Sequence, residues 1–341
     1  MRAMRMHRVV DLGTCAEPLS LDEVPRPVPG PGEVLLRVGA CGVCHTELDE
    51  IEGRTPPPRL PVTPGHQVAG VVEALGPGAA RFKAGDRGGV AWIHSACGDC
   101  DFCREGRENL CAGFRATGRD ADGGYAEYMT VPEAYAVRLP DGFTDLEAAP
   151  LLCAGAVGYR SLRLAKLCDG QVLGLVGFGA SAHLVIQAAR HQYPNSPVYV
   201  FARSEAERAF ALALGAGWAG DIADDPPSKL HAAIDTTPAW TPVVEALRHL
   251  ERGGRLVINA IRKEAADLGA LLSLDYASHL WLEKSVKSVA NVTRADAEDF
   301  LALAAAIPIR TEVQAFPLED ANRALLEIKQ RRIRGAKVLQ L

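Results

Sequence analysis

Two hydrophobic patterns divide the chain. Over roughly the first 150 residues, short stretches of alternating apolar and polar residues lie between turns rich in glycine and proline, as at Glu33–Val38 and Val68–Glu73. From about Gln171 onward, short apolar runs alternate with segments of helical periodicity. The first pattern predicts a β-rich barrel. The second predicts a parallel sheet covered by helices on both faces, so the fold class is α/β.

The second part of the chain is predicted to alternate between strand and helix. Strands are expected at Val172–Val176, Pro197–Ala202, Ala232–Asp235 and Arg255–Ala260. Helices are expected from a glycine turn to about His191, and at Glu205–Leu214, Val243–Leu250, Ala295–Ala306 and Leu318–Gln330, before a closing strand Val338–Leu341. Because 341 residues exceed what one core usually organises, we expect a first domain over 1–152, a second over 153–290, and a return of 291–341 to the first.

Composition and charge narrow the class of protein. Apolar residues make up 48% and charged residues 23% of the chain, which is ordinary for a globular protein. The net charge of -5 offers no basic field to a phosphate backbone, so nucleic acid is not an expected partner. No basic and apolar leader opens the chain, and no apolar run reaches the ~18 residues that span a bilayer. We therefore expect a soluble cytoplasmic protein with no membrane partner.

Four of the nine cysteines form a compact motif. Cys97, Cys100, Cys103 and Cys111 follow the spacing C-x2-C-x2-C-x7-C. Two-residue gaps let thiolates converge on one ion, and the fourth closes a tetrahedron with no open position. The motif predicts a structural zinc site. An iron–sulfur cluster takes the same ligands, and four unligated cysteines are the remaining alternative.

Three further residues lie in distinctive contexts: Cys44 in Gly-Val-Cys-His-Thr, His66 in Pro-Gly-His-Gln and Cys153 in Leu-Leu-Cys-Ala-Gly. Each residue alone is weak evidence for a metal site, because a single histidine or cysteine is more often packed in the protein interior than bound to a metal. Together with the four-cysteine motif, their order resembles the zinc alcohol dehydrogenases of the medium-chain dehydrogenase/reductase family. The segment before the four cysteines and Gly-Tyr-Ala-Glu-Tyr at 124–128 are most similar to the yeast-like and propanol-preferring bacterial branch.

The resemblance covers nearly the whole chain and implies both architecture and assembly. It implies a β-rich catalytic domain related in fold to GroES, joined to a Rossmann dinucleotide-binding domain. It also implies a homo-oligomer, a tetramer or else a dimer, because relatives pair their Rossmann sheets edge to edge.

The resemblance further implies a catalytic zinc held by Cys44, His66 and Cys153, with a fourth position open to the substrate oxygen, which the ion polarises. Two zinc ions per chain are therefore expected. The cysteines without a metal role are expected to be free thiols packed as small hydrophobic residues in a reducing compartment; they are Cys15, Cys41 and Cys168.

Residues after the first ligand also match family positions. Thr46 corresponds to the residue that bonds the substrate oxygen and passes its proton outward, and Glu47 to a carboxylate that orients the ligand histidine. His45 corresponds to a residue that contacts the cofactor pyrophosphate. For His45 and Glu47, a solvated turn is the alternative. Many relatives have a histidine five residues after the first ligand that passes the substrate proton outward. This chain has Asp49 there, so the resemblance does not assign the outer residue of the relay.

The chain departs from the family at one more position and keeps two residues near the substrate entrance. Gln67 replaces the glutamate that usually follows the ligand histidine and can approach the zinc during ligand exchange. Trp92 and His94 match positions near the substrate, where a tryptophan would narrow the pocket; an indole packed in the barrel is the alternative.

A glycine turn predicts the dinucleotide site. Residues 177–182 read G-x-G-x-x-A between a predicted strand and a predicted helix. Gly177 makes the tight turn, Gly179 lets the backbone approach the pyrophosphate, and Ala182 permits close helix packing. A purely structural turn is the alternative.

Cofactor preference depends on the end of the next strand. Ala202 stands where enzymes that use NAD carry an acidic residue, and Arg203 and Ser204 follow it. This favours NADP, with NAD as the alternative; a capping serine and a surface arginine are the competing interpretation, and Glu205 acts against the NADP preference.

The expected activity is reversible hydride transfer between a primary alcohol or aldehyde and NADP or NAD. A zinc dehydrogenase of a polyol or other secondary alcohol is one alternative. A non-catalytic binding protein on the same fold is another, although complete ligand sets argue against it.

Overall fold

In a computed structural model, the chain forms two compact units. The structure describes residues 1–307, 309–332 and 334–341. The first unit comprises 1–156, 292–306 and 310–341, and the second comprises 157–291 with 307–309. The chain passes from the first unit to the second after residue 156 and returns after residue 291, whereas the expected domain boundaries were 152/153 and 290/291. Cys153 belongs to the first unit.

The first unit is built around a mostly antiparallel seven-stranded sheet with strand order β16-β17-β3-β4-β5-β9, in which β8 also pairs with β3. Two small sheets join β1 to β2 and β6 to β7. The strands of this unit are β1 (Arg2–Arg5), β2 (Ser20–Glu23), β3 (Glu33–Val43), β4 (Val68–Leu75), β5 (Arg87–Val90), β6 (Ile93–Ser95), β7 (Arg115–Ala116), β8 (Tyr128–Pro132), β9 (Ala136–Arg138), β16 (Val313–Pro317) and β17 (Ala336–Gln340).

The β-rich unit also contains helices of 4 to 13 residues. They are α1 (His45–Ile51), α2 (Asp101–Arg104), α3 (Asp145–Ala148), α8 (Arg294–Ala306) and α9 (Ala321–Lys329), and α4 (Ala154–Ala165) begins in this unit and continues into the second. The core lies on the inner face of the sheet, where Leu36 and Val72 pair across β3 and β4 and Met129 is contributed by β8. On β3, exposed Arg37 lies between buried Leu36 and Val38, and the segment Glu33–Val38 forms the strand that was predicted there.

The second unit is a six-stranded parallel sheet with the order β12-β11-β10-β13-β14-β15. Its strands are β10 (Leu173–Val176), β11 (Val198–Phe201), β12 (Trp218–Gly220), β13 (Leu230–Asp235), β14 (Leu250–Ile258) and β15 (Ser285–Ser288), and its further helices are α5 (Ala182–Gln192), α6 (Glu205–Ala213) and α7 (Thr241–His249). Helices α5 and α6 pack against β11, and α7 against β13 and β14. The α/β fold class with a parallel sheet is therefore confirmed.

Most predicted elements are present with ends shifted by a few residues, and the differences have physical causes. Strands β12 and β15 were not expected, because β12 has three residues and β15 carries four exposed side chains with no apolar alternation. The expectation that Cys168 is packed as a hydrophobic residue is wrong: it is exposed in the connection before β10, whereas Cys41 is fully buried and Cys15 half-buried.

No helix within the described residues combines the length and the apolar character needed to cross a bilayer.

Candidate active site

The structure brings Cys44, His66 and Cys153 together in the first unit. Their potential ligand atoms all lie within 4.8 Å of one another, and His66 Nε2 is 3.3 Å from Cys153 Sγ. Cys44 precedes helix α1, His66 precedes strand β4, and Cys153 follows a 3-10 turn at Ala149–Leu152. Three distant parts of the sequence therefore meet at one point.

A glycine turn places the histidine. Gly65 has a φ of +99°, a conformation that side chains disfavour, and a Cβ there would lie 2.4 Å from the ring of Tyr125. Tyr125 is itself fully buried. The turn therefore requires glycine, and it directs His66 into the interior, where its side chain is 1% exposed.

The three residues fit a zinc ion by donor type and spacing. Two thiolates and one imidazole are ligands that zinc prefers, and tetrahedral bonds of about 2.0–2.3 Å separate neighbouring donors by roughly 3.5–3.8 Å. The separation of 3.3 Å between His66 Nε2 and Cys153 Sγ is close to that value. Three donors also leave a fourth tetrahedral position for a substrate atom.

Glu47 orients two of these residues at once. Its Oε1 lies 2.6 Å from His66 Nδ1, and its Oε2 accepts a hydrogen bond of 2.8 Å from the backbone N of Cys44. Because Nδ1 faces the carboxylate, Nε2 is the nitrogen left for a metal. Glu47 is fully buried, so the alternative of a solvated turn is not what the structure has at this residue.

Charges in this pocket shift several pKa values. Burial acts to lower the pKa of His66, but the Glu47 carboxylate and Cys44 outweigh it and hold the pKa well above its ordinary value. A hydrogen bond from the Cys153 thiol lowers the pKa of Cys44 well below the usual thiol range. The same hydrogen bond, together with burial, raises the pKa of Cys153. The pocket therefore stabilises a thiolate at Cys44, the form that binds metal.

The other residues of this segment occupy distinct positions. Thr46 is buried, with its Oγ1 3.6 Å from Cys44 Sγ, whereas His45 is exposed. Asp49 is buried and paired with Arg54, whose Nη2 lies 2.6 Å from Asp49 Oδ1. Thr46 is thus beside the metal-binding group, and Asp49 is held by a cation from the turn that follows helix α1.

The residues expected near the substrate, Trp92 and His94, lie just before and within strand β6. Trp92 is half-buried with its ring centroid 5.1 Å from that of Phe114, and the Arg119 guanidinium lies 5.9 Å from the Trp92 centroid. His94 is buried, and burial with the nearby Arg115 lowers its pKa to about 4. Trp92 therefore packs against aromatic and cationic neighbours, and its role in the pocket stays a prediction.

Sequence reasoning missed a third buried carboxyl group on helix α1, in addition to those of Glu47 and Asp49. Glu50 is 2% exposed, and its Oε1 has no hydrogen-bond partner. Burial and then the charge of Glu47 raise its pKa well above the ordinary value. Its spacing of three residues from Glu47 is the only signal in the sequence, and that spacing alone does not separate a buried glutamate from a solvated one.

The four cysteines of the motif also meet. Their sulfur atoms lie within 4.8 Å of one another, with 3.8 Å between Cys97 and Cys103 and 3.4 Å between Cys97 and Cys111. A tetrahedron of ~2.3 Å Zn–S bonds needs S–S distances of about 3.8 Å. A bond from the Cys97 backbone and the neighbouring thiols lower the pKa of Cys111 to about 7. This donor set fits a closed metal site.

Two contacts, one from this four-cysteine lobe (residues 97–111) and one from Ala96 just before it, attach the region to the rest of the first unit. Glu108, 3% exposed, accepts hydrogen bonds from the backbone N and Nε of Arg294, at 2.9 and 3.1 Å. The hydroxyl of Tyr135 accepts a bond of 2.9 Å from the backbone N of Ala96. Arg294, which begins α8, also lies over the Tyr135 ring, so the two contacts support each other.

The predicted dinucleotide turn lies at the carboxyl end of β10 in the second unit. Gly177 has a φ of +82°, and a Cβ there would lie 2.8 Å from Thr236 Oγ1. Gly179 faces open space, since a Cβ there would meet no atom within 4 Å. Ala182 is 1% exposed at the start of α5, as close packing of that helix requires. These are the properties that the motif led us to expect at Gly177, Gly179 and Ala182, and the binding of a pyrophosphate there stays a prediction.

The residues expected to contact the adenosine ribose of the cofactor follow directly after β11. Ala202 is buried, and Arg203 is exposed. Ser204 caps helix α6: its Oγ accepts a bond of 3.2 Å from the backbone N of Glu207 and donates one of 2.8 Å to Glu207 Oε2. The capping role weighed for Ser204 is therefore present, and a contact with the cofactor stays a prediction.

Comparison with known proteins gives consistent matches. Residues 30–141 match the model of the alcohol dehydrogenase GroES-like domain. The chain is 47% identical over 318 residues to a probable alcohol dehydrogenase of Mycobacterium tuberculosis, covering 92% of this chain and 90% of that protein. It is 33% identical over 336 residues to an alcohol dehydrogenase of Geobacillus stearothermophilus, covering 95% of this chain and 97% of that one.

Solved structures are similar over the whole length. The cobalt- and zinc-bound thermostable alcohol dehydrogenase from Pyrobaculum aerophilum matches with a TM-score of 0.88 and 27% identity, covering 100% of this chain and 99% of that one. Acetophenone reductase from Geotrichum candidum, solved with NAD, shares the fold at 24% identity with a TM-score of 0.86, covering 100% of this chain and 97% of that one.

Proposed function

The chain belongs to the alcohol dehydrogenases of the medium-chain dehydrogenase/reductase family, and from this we propose that it is a zinc-dependent alcohol dehydrogenase and aldehyde reductase. It is an NAD(P)-dependent oxidoreductase that acts on alcohols. The proposal adds a catalytic and a structural zinc ion, a primary alcohol or the matching aldehyde as substrate, and NADP as the favoured cofactor.

One observation supports a catalytic and a structural role for the two zinc ions: the first unit contains one group of three potential metal ligands and one group of four. Cys44, His66 and Cys153 provide three ligands, and the four-cysteine lobe provides four. A site with three protein ligands retains a position for substrate, whereas a site with four sulfur ligands is closed. We therefore assign catalysis to the first site and stability to the second.

Zinc held by Cys44, His66 and Cys153 would supply Lewis acidity at the substrate oxygen, and a nicotinamide bound at the glycine turn would supply the hydride acceptor or donor. The chain's own residues supply orientation and proton movement. Glu47 fixes the ring of His66 and the backbone of Cys44. The buried hydroxyl of Thr46 is assigned to take the substrate hydroxyl proton and pass it outward, with Asp49 at the next position of the relay.

Substrate class and location are narrower parts of the proposal. Trp92 is assigned to the substrate pocket, where an indole favours unbranched or planar substrates, and the pairing of Trp92 with Phe114 supports an aromatic wall. We place the enzyme in the cytoplasm, because none of the nine cysteines forms a disulfide in the structure, and a reducing compartment keeps the cysteines outside the metal sites as thiols.

Metal analysis combined with a substrate panel tests the proposal. We expect two zinc ions per chain and a change in nicotinamide absorbance with benzyl alcohol or benzaldehyde. Cys153→Ser should abolish turnover while leaving the fold and the structural zinc, because it removes one of three catalytic ligands. The buried Cys41→Ser is the matched control, since Cys41 is in neither donor set. One zinc per chain, or full turnover in Cys153→Ser, would refute the assignment; a clear preference for secondary alcohols or polyols would refute the substrate class.

A further inference from the structure

A buried ion pair lies at the carboxyl end of the sheet in the second unit. It joins Lys263 to Asp235, whose side chains are 7% and 0% exposed. The Lys263 ammonium also donates to the backbone oxygens of Thr237 at 2.8 Å and Ala239 at 3.0 Å. Three acceptors thus match the three protons of the ammonium group. Removing two charges from water is costly, and an apolar pair often packs at least as stably, so stability alone does not explain the pair.

The ion pair holds a short turn that follows strand β13. Asp235 ends β13, and its Oδ1 accepts bonds from the backbone N and the Oγ1 of Thr237, at 3.1 and 2.7 Å. Thr236 is held from the other side, because its backbone N and its Oγ1 both donate to the backbone oxygen of Val176, at 2.9 and 3.0 Å. The turn at 236–237 is therefore fixed by the ion pair and by the last residue of β10.

This turn forms one wall of the glycine bend. A Cβ at Gly177 would lie 2.8 Å from Thr236 Oγ1 and 3.0 Å from Thr237 Cγ2, so both threonines pack closely on the Gly177 backbone. In open α/β sheets the dinucleotide pyrophosphate binds at this bend and is held by its backbone amides. A displacement of the two threonines would therefore change the amide positions that face the ligand.

We infer that Asp235 and Lys263 are positioning residues for the dinucleotide, which keep Thr236 and Thr237 against Gly177 and so preorganise the pyrophosphate-binding bend. The inference rests on the proposed function, because it presupposes a dinucleotide at Gly177. A bend that is already ordered pays less entropy when ligand binds, so the pair increases dinucleotide affinity. It does so without contact with the reacting atoms.

The double variant D235N/K263M tests this role. Asparagine keeps an oxygen for Thr237, and methionine keeps the apolar stem of the lysine, so no charge is left buried and unpaired. We expect the Kd for the preferred dinucleotide, measured by calorimetry, to rise about tenfold through lost preorganisation. The Kd for ADP-ribose should rise by the same factor, because ADP-ribose carries the pyrophosphate but no nicotinamide. The kcat at saturating dinucleotide and the zinc content should change less than twofold.

A matched control separates this role from general stability. Lys284 is half-buried in the second unit and, like Lys263, donates to two backbone oxygens, those of Leu247 at 2.9 Å and Ser278 at 2.7 Å, but none of the bonds described for it reaches the turn at 236–237. K284M should therefore leave dinucleotide affinity unchanged. A loss of affinity in K284M equal to that in the double variant would show a merely structural effect and overturn the inference.

The remaining outcomes also decide the question. If D235N/K263M does not fold, T237V removes only the hydroxyl bond to Asp235 and should raise the Kd about threefold through the same loss of preorganisation. A folded double variant with wild-type affinity would overturn the inference but not the proposed function. A wild-type protein that binds neither NAD nor NADP would instead refute the proposed function.

Discussion

At the scale of single residues, side-chain length decides how the catalytic ligands are oriented. Glu47 carries one methylene more than the aspartate usual at this position in the family, yet its two oxygens reach both His66 Nδ1 and the backbone N of Cys44. A carboxylate that holds two ligands restricts both the ring tautomer and the position of the thiolate. The longer side chain is therefore compatible with the orienting role.

Cofactor preference is also decided by single residues. We predict that the enzyme prefers NADP, because Ala202 neither binds the ribose hydroxyls nor repels a 2′-phosphate, and Arg203 is exposed next to it. A charge-assisted bond of roughly 1.5–3 kcal/mol from Arg203 corresponds to about 10- to 100-fold in preference. Arg203→Ala should reduce kcat/KM with NADP by that factor and leave kcat/KM with NAD nearly unchanged.

The neighbouring residues supply the control for this comparison. Ser204 is already engaged with Glu207 as the cap of helix α6, so Ser204→Ala should lower stability as well as any phosphate contact. Arg203 has no such structural bond from its guanidinium among the contacts described for it. A wild-type preference for NAD, or an NADP efficiency that Arg203→Ala leaves intact, would contradict the prediction.

At the scale of elements, the four-cysteine lobe has little regular structure of its own and depends on its ligands and attachments. Within the lobe, the helix at Asp101–Arg104 has four residues and no buried side chain. An apolar core cannot order such a segment, so a closed metal site and the bond of Glu108 to Arg294 must do so.

Loss of one lobe ligand should therefore be a stability defect. In Cys100→Ser we expect one zinc ion to be lost and the melting temperature to fall sharply, because a structural zinc contributes ~10 kcal/mol or more of binding energy to folding. The measurements are metal analysis and thermal unfolding, with Cys168→Ser as the control for an exposed cysteine outside the donor sets. A variant with wild-type stability and two zinc ions would contradict a structural role.

A buried histidine gives the second unit a pH dependence. His249 is fully buried and stacks on Phe201 with centroids 5.5 Å apart, and burial together with the Arg248 cation lowers its pKa to about 4 from the ordinary 6.5. The folded state therefore binds fewer protons than the unfolded state between these values. The stability it contributes is complete above pH 6.5 and is lost as pH falls toward 4, by up to about 1.4 kcal/mol per pH unit.

The variant His249→Phe keeps an aromatic ring against Phe201 and removes the titrating group. We expect its free energy of unfolding to fall less steeply than that of the wild type between pH 6.5 and 4.5, as measured by denaturant titration. Acid-driven loss of zinc affects both proteins alike and cancels in the difference. Parallel pH curves would show that His249 does not titrate in this way.

At the scale of the whole molecule, the outer edge of the parallel sheet indicates self-association. Strand β15 ends the sheet with all of its side chains exposed, and the segment before it carries exposed apolar residues, including Trp281 at 53%. An open edge with apolar neighbours is a surface that natural proteins usually cover. We propose that a second copy of the chain covers it, within a homo-oligomer.

The assembly prediction is a tetramer, with a dimer as the alternative, and light scattering at micromolar concentration tests it. Val286→Lys on β15 should shift the protein toward a smaller assembly, because a two-fold axis at this edge brings like charges together. Leu212→Lys on α6 is the matched control, since Leu212 is 51% exposed in the same unit but away from this strand. A monomeric wild type, or equal effects of both variants, would contradict the prediction.

Sequence patterns by themselves determined the α/β class of this protein, the alternation of strands and helices in its second part, and the presence of a four-cysteine metal motif. Periodicity reports local burial, so it located four of the six strands of the parallel sheet and the helix after Gly177. Close cysteine spacing forces short loops to converge, so the four-cysteine lobe was also predictable. The meeting of Cys44, His66 and Cys153 was expected only through family resemblance, because no local rule joins residues that lie so far apart in the chain.

Tertiary structure alone decided which polar residues are buried and what they contact. Asp235, Lys263 and Glu108 are ordinary charged residues in the sequence, and nothing local distinguishes such buried charged groups from solvated ones. The exposure of Cys168 and the edge position of β15 were likewise undetermined. The physical reason is that burial and pairing depend on which distant segments pack together, and local periodicity carries no information about that packing.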